Sequence, residues 1–171
     1  MNSNRIYTNG IFLLSGSNLG DRLAFLSEAE HQIVAQGVFV LRKSAVYETK
    51  PWGSTSQNDY LNQVWEISTR LDAFELLHLL KSVELNLGRN PDAGHYADRC
   101  IDLDILYFSS LVVYGSTLQI PHPRIQQRKF ALLPMVELEP GLIHPVLNKS
   151  QLELLEICED PLEVWLFSPE P

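Results

Sequence analysis

The chain has 171 residues, of which 45% are hydrophobic and 20% are charged, and its formal net charge at pH 7 is −8. These proportions are typical of one globular domain, and the acidic balance argues against nucleic acid as a main partner, because phosphate backbones bind basic surfaces. No signal peptide or membrane-spanning segment is evident, and Cys100 and Cys158 match no metal or redox spacing, so we expect a cytoplasmic protein with reduced thiols.

The first half of the chain predicts alternating strands and helices. Residues 10–15 are an apolar run typical of a buried strand, and the turn-rich segment 16–21 offers capping side chains for the helix that follows. Asp72 is a second candidate cap, and Gly88 is a natural helix end. We predict strands over residues 10–15, 38–49 and 59–70, a loop over 50–58, and helices over 22–36 and 72–87.

The second half adds one core strand and several shorter elements. The polar segment 89–98 is long enough to act as a mobile lid, and a strand over 99–108 follows it. A helix is predicted over 128–138, where Pro134 bends or shortens it. The remaining predicted elements are a hairpin at 111–113, a helix over 150–158 and a last apolar run at 164–167.

The order of these elements predicts the fold. Strand–helix–strand–strand–helix–strand is the order of an α+β, ferredoxin-like βαββαβ sandwich, and we expect its helices to cover one face of an antiparallel sheet. We expect a single domain, residues 1–171, with a core over about 11–145. Its C-terminal extension, 146–171, would add a helix and a strand.

The strand over 99–108 carries two acids in an apolar setting. Asp102, Asp104 and Leu106 alternate there with Ile101, Leu103, Ile105 and Tyr107. Asp102 and Asp104 therefore share a face, where two like charges repel unless a cation joins them. Paired oxygen ligands are what Mg²⁺ prefers, with phosphate oxygens completing its shell. The alternative, a solvated strand face that carries two acids, stays open on this stretch alone.

Basic residues gather on both sides of that strand. Arg89, His95, Tyr96 and Arg99 precede it, and His122, Arg124, Arg128 and Lys129 follow it. A positive cluster around an acidic pair suits a magnesium–triphosphate site, although each arginine alone could serve only solubility. His122 lies between two prolines and could bind phosphate or stabilise its loop, and His144 is expected to be structural.

Aromatic residues suggest a second ligand. Tyr60 and Phe130 could sandwich a flat heterocycle, and the Asn62 amide could donate to its edge and accept from it. The alternative is that both aromatic side chains belong to the core.

Several motifs together resemble a known family. They are Gly16-Ser17-Asn18-Leu19-Gly20-Asp21, Tyr60-Leu61-Asn62, Glu84-Leu85-x-x-Gly88-Arg89, Arg99-x-x-Asp102-Leu103-Asp104-Ile105-Leu106, Pro121-His122-Pro123 and Arg128-x-Phe130. In this order, from about Ile11 to Pro145, they are similar to 6-hydroxymethyl-7,8-dihydropterin pyrophosphokinase (HPPK), a folate-pathway enzyme. The resemblance implies a ferredoxin-like enzyme that moves the β,γ-diphosphate of ATP onto the hydroxymethyl group of the pterin and releases AMP.

The resemblance also implies roles for individual residues. Asp102 and Asp104 would hold two Mg²⁺ ions, with Arg89 and Arg99 as the other catalytic residues. The residues implied to bind ATP are Glu84, Arg89, Arg99, Ile105, His122 and Arg128, and those implied to bind the pterin are Thr49, Trp52, Tyr60, Asn62 and Phe130. The expected partners are ATP and the pterin, with no nucleic acid and no membrane, and the expected state is a monomer.

Three positions depart from the family's pattern. Asp98 puts an acid ahead of Arg99, where the family commonly has a small residue or proline. Asp92 stands where some members have a basic residue, and Tyr96 where some have tryptophan. These changes make the lid less positive and bear on the strength of ATP binding.

Two other functions remain open at this point. A nucleotidyl transferase of the polymerase-palm kind uses the same pair of aspartates, but it would need a basic template-binding surface and would release pyrophosphate. A ferredoxin-like regulatory domain would bind its ligand without turnover and without a magnesium requirement.

Overall fold

The computed structural model describes residues 6–52, 58–90 and 98–168. In chain order the elements are β1 (Tyr7–Ser17), α1 (Arg22–Ala35), β2 (Phe39–Lys43), β3 (Tyr47–Thr49), β4 (Tyr60–Thr69), α2 (Ala73–Asn86), β5 (Asp102–Phe108), β6 (Val113–Tyr114), β7 (Gln119–Ile120), α3 (Lys129–Leu138), α4 (Gln151–Glu156) and β8 (Val164–Leu166). Of the helices in these three ranges, none is long and apolar enough to cross a membrane.

The main sheet is antiparallel and has the order β5-β1-β4-β3-β8, with β2 also paired to β4. β2 and β3 lie end to end along β4, so the predicted strand over 38–49 is interrupted. Ser44, in the interruption, keeps the ladder connected, because its N–H donates to the Val64 carbonyl at 2.9 Å and its Oγ accepts from the Val64 N–H at 3.0 Å. β2 and β3 together fill the place of one strand, and the predicted α+β fold is confirmed.

α1 and α2 pack on one face of the sheet. Both begin at aspartate caps: the Asp21 carboxylate accepts a backbone N–H of the first turn, and Asp72 forms a reciprocal capping box with Glu75. Gly88 follows α2 at φ +92°, a conformation that glycine adopts without strain. The core cluster on this face includes Leu13, Leu26, Ile33, Trp65, Leu76, Leu80 and Leu103.

α3 and α4 pack on the opposite face, contrary to the prediction that helices cover only one. A second cluster lies there and includes Phe12, Leu14, Val64, Ala131, Leu132, Met135 and Leu154. Pro134 lies inside α3, which continues to Leu138. Helices on both faces bury every side chain from Ile11 to Leu14, which explains why β1 is a continuous apolar run.

The alternation predicted along the aspartate strand fails at one point. The pairing of β1 with β5 shifts between Ile105 and Tyr107, so Leu106 is an extra residue in β5. Leu106 and Tyr107 both pack in the second cluster, whereas Ile105 packs in the first. The bulge comes after Asp104, so it leaves the two acids on one face, and both line the same cavity.

The C-terminal extension packs against the rest of the chain. α4 starts at a capping box formed by Ser150 and Glu153, and β8 pairs antiparallel with β3 at the edge of the sheet. His144 has the structural role expected of it, because its Nδ1 accepts from the N–H groups of Val146 at 3.2 Å and Leu147 at 3.1 Å.

Candidate active site

A cavity of about 640 Å³ opens where β1 ends and where β4 and β5 begin. Because β1 runs antiparallel to both neighbours, Gly16 lies opposite Asn62 on β4 and opposite Asp102 on β5. The lining also draws on β3, α2, β7 and the start of α3. It consists of Leu14, Gly16, Thr49, Lys50, Trp52, Tyr60, Asn62, Lys81, Arg89, Arg99, Asp102, Asp104, Gln119, His122, Pro123, Arg124, Arg128 and Phe130.

Asp102 is bound by two arginines. Arg89 Nη1 donates to Oδ1 at 2.6 Å, and Arg99 Nη1 donates to Oδ2 at 2.8 Å. Burial acts to raise the pKa of Asp102, but the two guanidinium groups outweigh it and the pKa is lowered. Asp102 is therefore ionised at neutral pH, and cations that compensate its charge are present in the protein itself.

Asp104 projects into the same cavity and faces His122. Its Oδ2 lies 3.9 Å from His122 Nε2, and its side chain is 30% exposed. Burial lowers the pKa of His122; Asp104 opposes this effect and Arg128 adds to it. The imidazole is therefore neutral at pH 7, and Asp104 is held less tightly than Asp102.

Glu84, on α2, supports the arginine cluster from behind the cavity wall. Its side chain is 2% exposed and forms ion pairs with Lys81 at 2.8 Å and Arg89 at 2.6 Å. Its Oε1 also accepts from the Leu103 N–H at 2.7 Å. Burial raises the pKa of Glu84, and Lys81 counteracts this. Sequence reasoning missed Lys81 as a cavity residue, although its i, i+3 spacing from Glu84 was a usable signal.

The other half of the cavity is aromatic. Trp52, Tyr60 and Phe130 line it together with Thr49. The Arg128 guanidinium lies 5.0 Å from the centre of the Trp52 ring and 5.6 Å from that of Phe130, within cation–π range. Burial raises the pKa of Tyr60, so its phenol stays protonated at neutral pH.

Asn62 lies between the two halves with an unused donor. The residue is 3% exposed, and its Nδ2 has no hydrogen-bond partner among the described residues. A buried donor left unpaired costs about 1–3 kcal/mol, so a ligand acceptor at this position would regain that free energy. Gly16 makes room for the amide, because a Cβ there would lie only 3.2 Å from Asn62 Oδ1.

Most of the predicted site residues meet at this cavity. They are Thr49, Trp52, Tyr60, Asn62, Arg89, Arg99, Asp102, Asp104, His122, Arg128 and Phe130. Glu84 lies behind the wall, and the Ile105 side chain is 4% exposed within the core cluster against α1 and α2. Only the backbone of Ile105 could therefore face a ligand. Lys50, Lys81 and Gln119 also line the cavity and were not among the predicted site residues. Arg124, a member of the predicted basic cluster, lines it as well.

Most of the predicted lid, with Asp92, His95 and Tyr96, lies outside the described residues. Asp98, at its end, accepts from Asn18 Nδ2 at 2.7 Å and from Asn58 Nδ2 at 2.6 Å. This acid therefore ties the loop after β1 to the loop before β4.

Asp102 and Asp104 suit a hard divalent cation, because both offer carboxylate oxygens to the same cavity. Within residues 6–52, 58–90 and 98–168, no cluster of three or more His, Cys, Asp or Glu side chains could hold a metal ion. The rest of a cation's shell would have to come from water or a ligand, which is how Mg²⁺ is usually held beside phosphates.

These features fit a class of protein: ferredoxin-like α+β enzymes in which paired carboxylates and a cluster of cations are suited to phosphate groups. Residues 12–140 match the family of 7,8-dihydro-6-hydroxymethylpterin-pyrophosphokinase (HPPK). The chain belongs to this family, and the resemblance found in its motifs is confirmed.

Two curated relatives are named as pyrophosphokinases of this kind, and a third as a folic acid synthesis protein. The chain is 36% identical over 143 residues to 2-amino-4-hydroxy-6-hydroxymethyldihydropteridine pyrophosphokinase of Aquifex aeolicus, which covers 84% of this chain and 88% of that protein. It is 38% identical over 138 residues to the enzyme of that name from Porphyromonas gingivalis. That match covers 79% of this chain and 93% of the relative. It is 36% identical over 159 residues to the folic acid synthesis protein fol1 of Pneumocystis carinii, of which it spans only 21%.

Solved structures agree on the fold. The wild-type HPPK-DHPS of Plasmodium falciparum with pteroate superposes with a TM-score of 0.68 at 15% sequence identity. The match covers 90% of this chain and 45% of that one, so the chain spans under half of the fused protein.

Proposed function

We propose that this chain transfers the β,γ-diphosphate of ATP to the hydroxymethyl group of 6-hydroxymethyl-7,8-dihydropterin, giving AMP and the pterin diphosphate in folate biosynthesis. One observation carries the proposal beyond family membership. A single cavity has a half with acids and cations and a half with aromatic rings and the buried Asn62 amide. A triphosphate suits the first half and a flat, polar-edged heterocycle suits the second.

In the aromatic half, Tyr60 and Phe130 would stack on the pterin, and Trp52 would help to close the slot. Asn62 Nδ2, buried and unsatisfied among the described residues, would donate to a ring acceptor. Thr49 would contribute backbone groups at the end of β3. Because most of these groups come from β3, β4 and α3, with Trp52 in the loop after β3, the slot is built largely on packed elements that favour a fixed orientation of the ring.

In the charged half, Asp102 and Asp104 would hold two Mg²⁺ ions together with the phosphate oxygens. Bound there, these ions would supply charge neutralisation for the triphosphate and its leaving group. Arg89 and Arg99 now neutralise Asp102. We propose that they shift part of their hydrogen bonding to the phosphates when the nucleotide binds, while Glu84 keeps Arg89 in place.

The reaction itself would need little further machinery. The pterin hydroxyl oxygen forms a bond to the β-phosphorus, the bond between that phosphorus and the α,β-bridging oxygen breaks, and AMP leaves with the electron pair. The hydroxyl proton would pass to Asp104 or to solvent. His122 and Arg128 would bind phosphate on the side opposite Arg89 and Arg99, and Ile105 would contribute its backbone alone, since its side chain lies in the core.

We also propose that residues 1–171 form one catalytic domain, because one sheet carries both helical layers and the cavity, and that this domain acts as a monomer. The free thiols of Cys100 and Cys158 suit a reducing compartment such as the cytoplasm.

The deciding experiment separates the adenine nucleotides after incubation of the protein with ATP, Mg²⁺ and the pterin alcohol. We expect AMP that depends on the pterin, and no AMP with a matched 6-methyl analogue that lacks the acceptor hydroxyl. ADP would indicate an ordinary kinase, and pyrophosphate would indicate nucleotidyl transfer. Ligand binding without any turnover would identify a binding domain and refute the proposal.

A further inference from the structure

Beyond residue 140, where the family match ends, the chain continues through α4 to an acidic turn and to β8. We propose that the segment Asp160–Phe167 holds two walls of the aromatic half of the cavity in position, with Asp160 as a positioning residue for Phe130. The proposal rests on the proposed function, in which that half binds the pterin.

Asp160 caps α3 from a distance of 31 residues along the chain. The residue is 7% exposed, and its Oδ2 accepts from the Lys129 N–H at 3.0 Å, while Oδ1 accepts from the Leu162 N–H at 3.1 Å. Arg128 occupies the N-cap position of α3, but its side chain makes no capping hydrogen bond there. The carboxylate therefore supplies the acceptor, next to the positive end of the helix dipole.

The capped turn is the part of α3 that lines the cavity. Lys129 lies directly between Arg128 and Phe130, and both of those side chains are in the lining. Without the carboxylate, the first amide of α3 would lose its partner and the turn would fray more easily. The position of the Phe130 ring then depends on an acid that does not itself line this cavity.

β8 stabilises β3, which forms the wall of the aromatic half that faces α3. It pairs with β3 so that Val164 lies opposite Thr49 and Trp165 lies opposite Glu48. Trp165 Nε1 donates to Glu48 Oε2 at 3.2 Å, and the Phe167 N–H donates to the Val46 carbonyl at 2.9 Å. These bonds close the outer edge of β3, the strand that ends at the cavity residue Thr49.

The two walls are linked through Arg128, which lies against both the Trp52 and the Phe130 rings. The charged half is built mainly on β5 and α2, and β5 and β8 are at opposite edges of the sheet. Arg128, the proposed phosphate ligand at the start of α3, lies in the capped turn. Loosening the segment should therefore weaken pterin binding more than ATP binding.

The test compares Asp160→Ala with Asp160→Asn, which keeps an acceptor oxygen, and with Glu159→Ala, which removes an exposed neighbouring acid. We expect Asp160→Ala to raise KM for the pterin by roughly tenfold, the factor that corresponds to losing a strong helix cap. KM for ATP should rise less, by no more than about threefold, because Arg128 is the one proposed ATP ligand in the capped turn. Asp160→Asn should restore most of the loss, and Glu159→Ala should match the wild type. An equal rise in both KM values, or no rise in either, would overturn the proposal.

Two further measurements keep the inference testable on its own. Amide hydrogen exchange at Lys129 and Phe130 should be faster in Asp160→Ala than in Glu159→Ala, whether or not the wild type makes AMP, and unchanged exchange would refute the cap. If Asp160→Ala does not fold, Trp165→Phe removes the N–H donor to Glu48 and part of the aromatic surface beneath Lys50. It should raise KM for the pterin about threefold, in line with one lost hydrogen bond, and an unchanged value would refute this role of β8. Absence of AMP from the wild type would count against the function alone.

Discussion

Substitutions at the two aspartates of the proposed metal site should differ in their effect on stability and agree in their effect on turnover. Asp102→Asn and Asp104→Asn remove the same charge from positions two residues apart on β5. Asp102 is held by Arg89 and Arg99 at 2.6 and 2.8 Å, whereas Asp104 has His122 at 3.9 Å. Each substitution is therefore the matched control for the other.

The magnitude follows from the burial of the ion pairs. Removing one partner of a buried pair costs about 3–5 kcal/mol. The side chains of Asp102, Arg89 and Arg99 are 25%, 24% and 14% exposed, so solvent screens part of this interaction. We therefore expect about 2 kcal/mol for Asp102→Asn, or a Tm lower by roughly 4–8 °C in a chain of this size. Asp104→Asn should shift Tm by less than about 2 °C.

Turnover should not differ between the two variants in the way that Tm does. Both variants should lose AMP formation by roughly a hundredfold or more, because each removes a carboxylate proposed to bind Mg²⁺. The assays are thermal unfolding by circular dichroism without nucleotide, and AMP release with saturating substrates. Equal Tm values in the two variants would refute the arginine compensation of Asp102, and full activity in either would refute its place in the metal site.

The stability difference should also depend on pH. The pKa of Asp102 is lowered in the folded protein, so its contribution is complete above the unfolded value of about 3.9. It is lost as the pH falls through the lower, folded value. Denaturant unfolding at pH 7 and in acid should show the gap between wild type and Asp102→Asn narrowing, and a gap that widens would contradict the sign of the shift.

Two other predictions concern groups outside the ion pairs. Gly16→Ala places a Cβ 3.2 Å from Asn62 Oδ1 and should raise KM for the pterin several-fold more than KM for ATP. The control is Gly141→Ala, whose Cβ would meet nothing within 4 Å. Equal changes in the two KM values would contradict the proposed role of Asn62. Burial lowers the pKa of His144, so the unfolded chain binds more protons below about pH 6.5 and stability should fall there. In His144→Asn, the fall in the free energy of unfolding below about pH 6.5, measured with urea, should be smaller by the contribution of His144. An unchanged fall would show that other groups cause it.

The secondary structure was largely predictable because its signals are local. The caps at Asp21 and Asp72 mark where α1 and α2 begin, and the apolar run of β1 reflects burial on both faces. The interruption at Ser44 and the bulge at Leu106 were not predictable, because each depends on pairing with a neighbouring strand. The second helical layer was missed for the same reason, since periodicity identifies an apolar helix face but not the surface that it covers.

The candidate site shows the same limit. Motifs identified most of the cavity residues, but the pairing of Arg89 and Arg99 with Asp102 could not be inferred from spacing. The i, i+3 spacing of Lys81 from Glu84 was a signal that sequence reasoning did not use. The prediction that Ile105 binds ATP can apply only to its backbone, because its side chain is packed in the core. Asp160 gave no local signal, because the amide that it caps is 31 residues earlier in the chain.

Gly16 lies opposite both Asn62 and Asp102 on adjacent strands. Neighbouring strands are about 4.8 Å apart, so the backbones at the two flanking positions are separated by roughly 9–10 Å, twice that spacing. The sheet therefore sets the distance between the amide proposed to bind the pterin and the acid proposed to bind the metal, through backbone hydrogen bonds rather than through side-chain size. Substitutions around the cavity can change how firmly either substrate is held, but the span between the two anchor points changes only if a strand is re-registered.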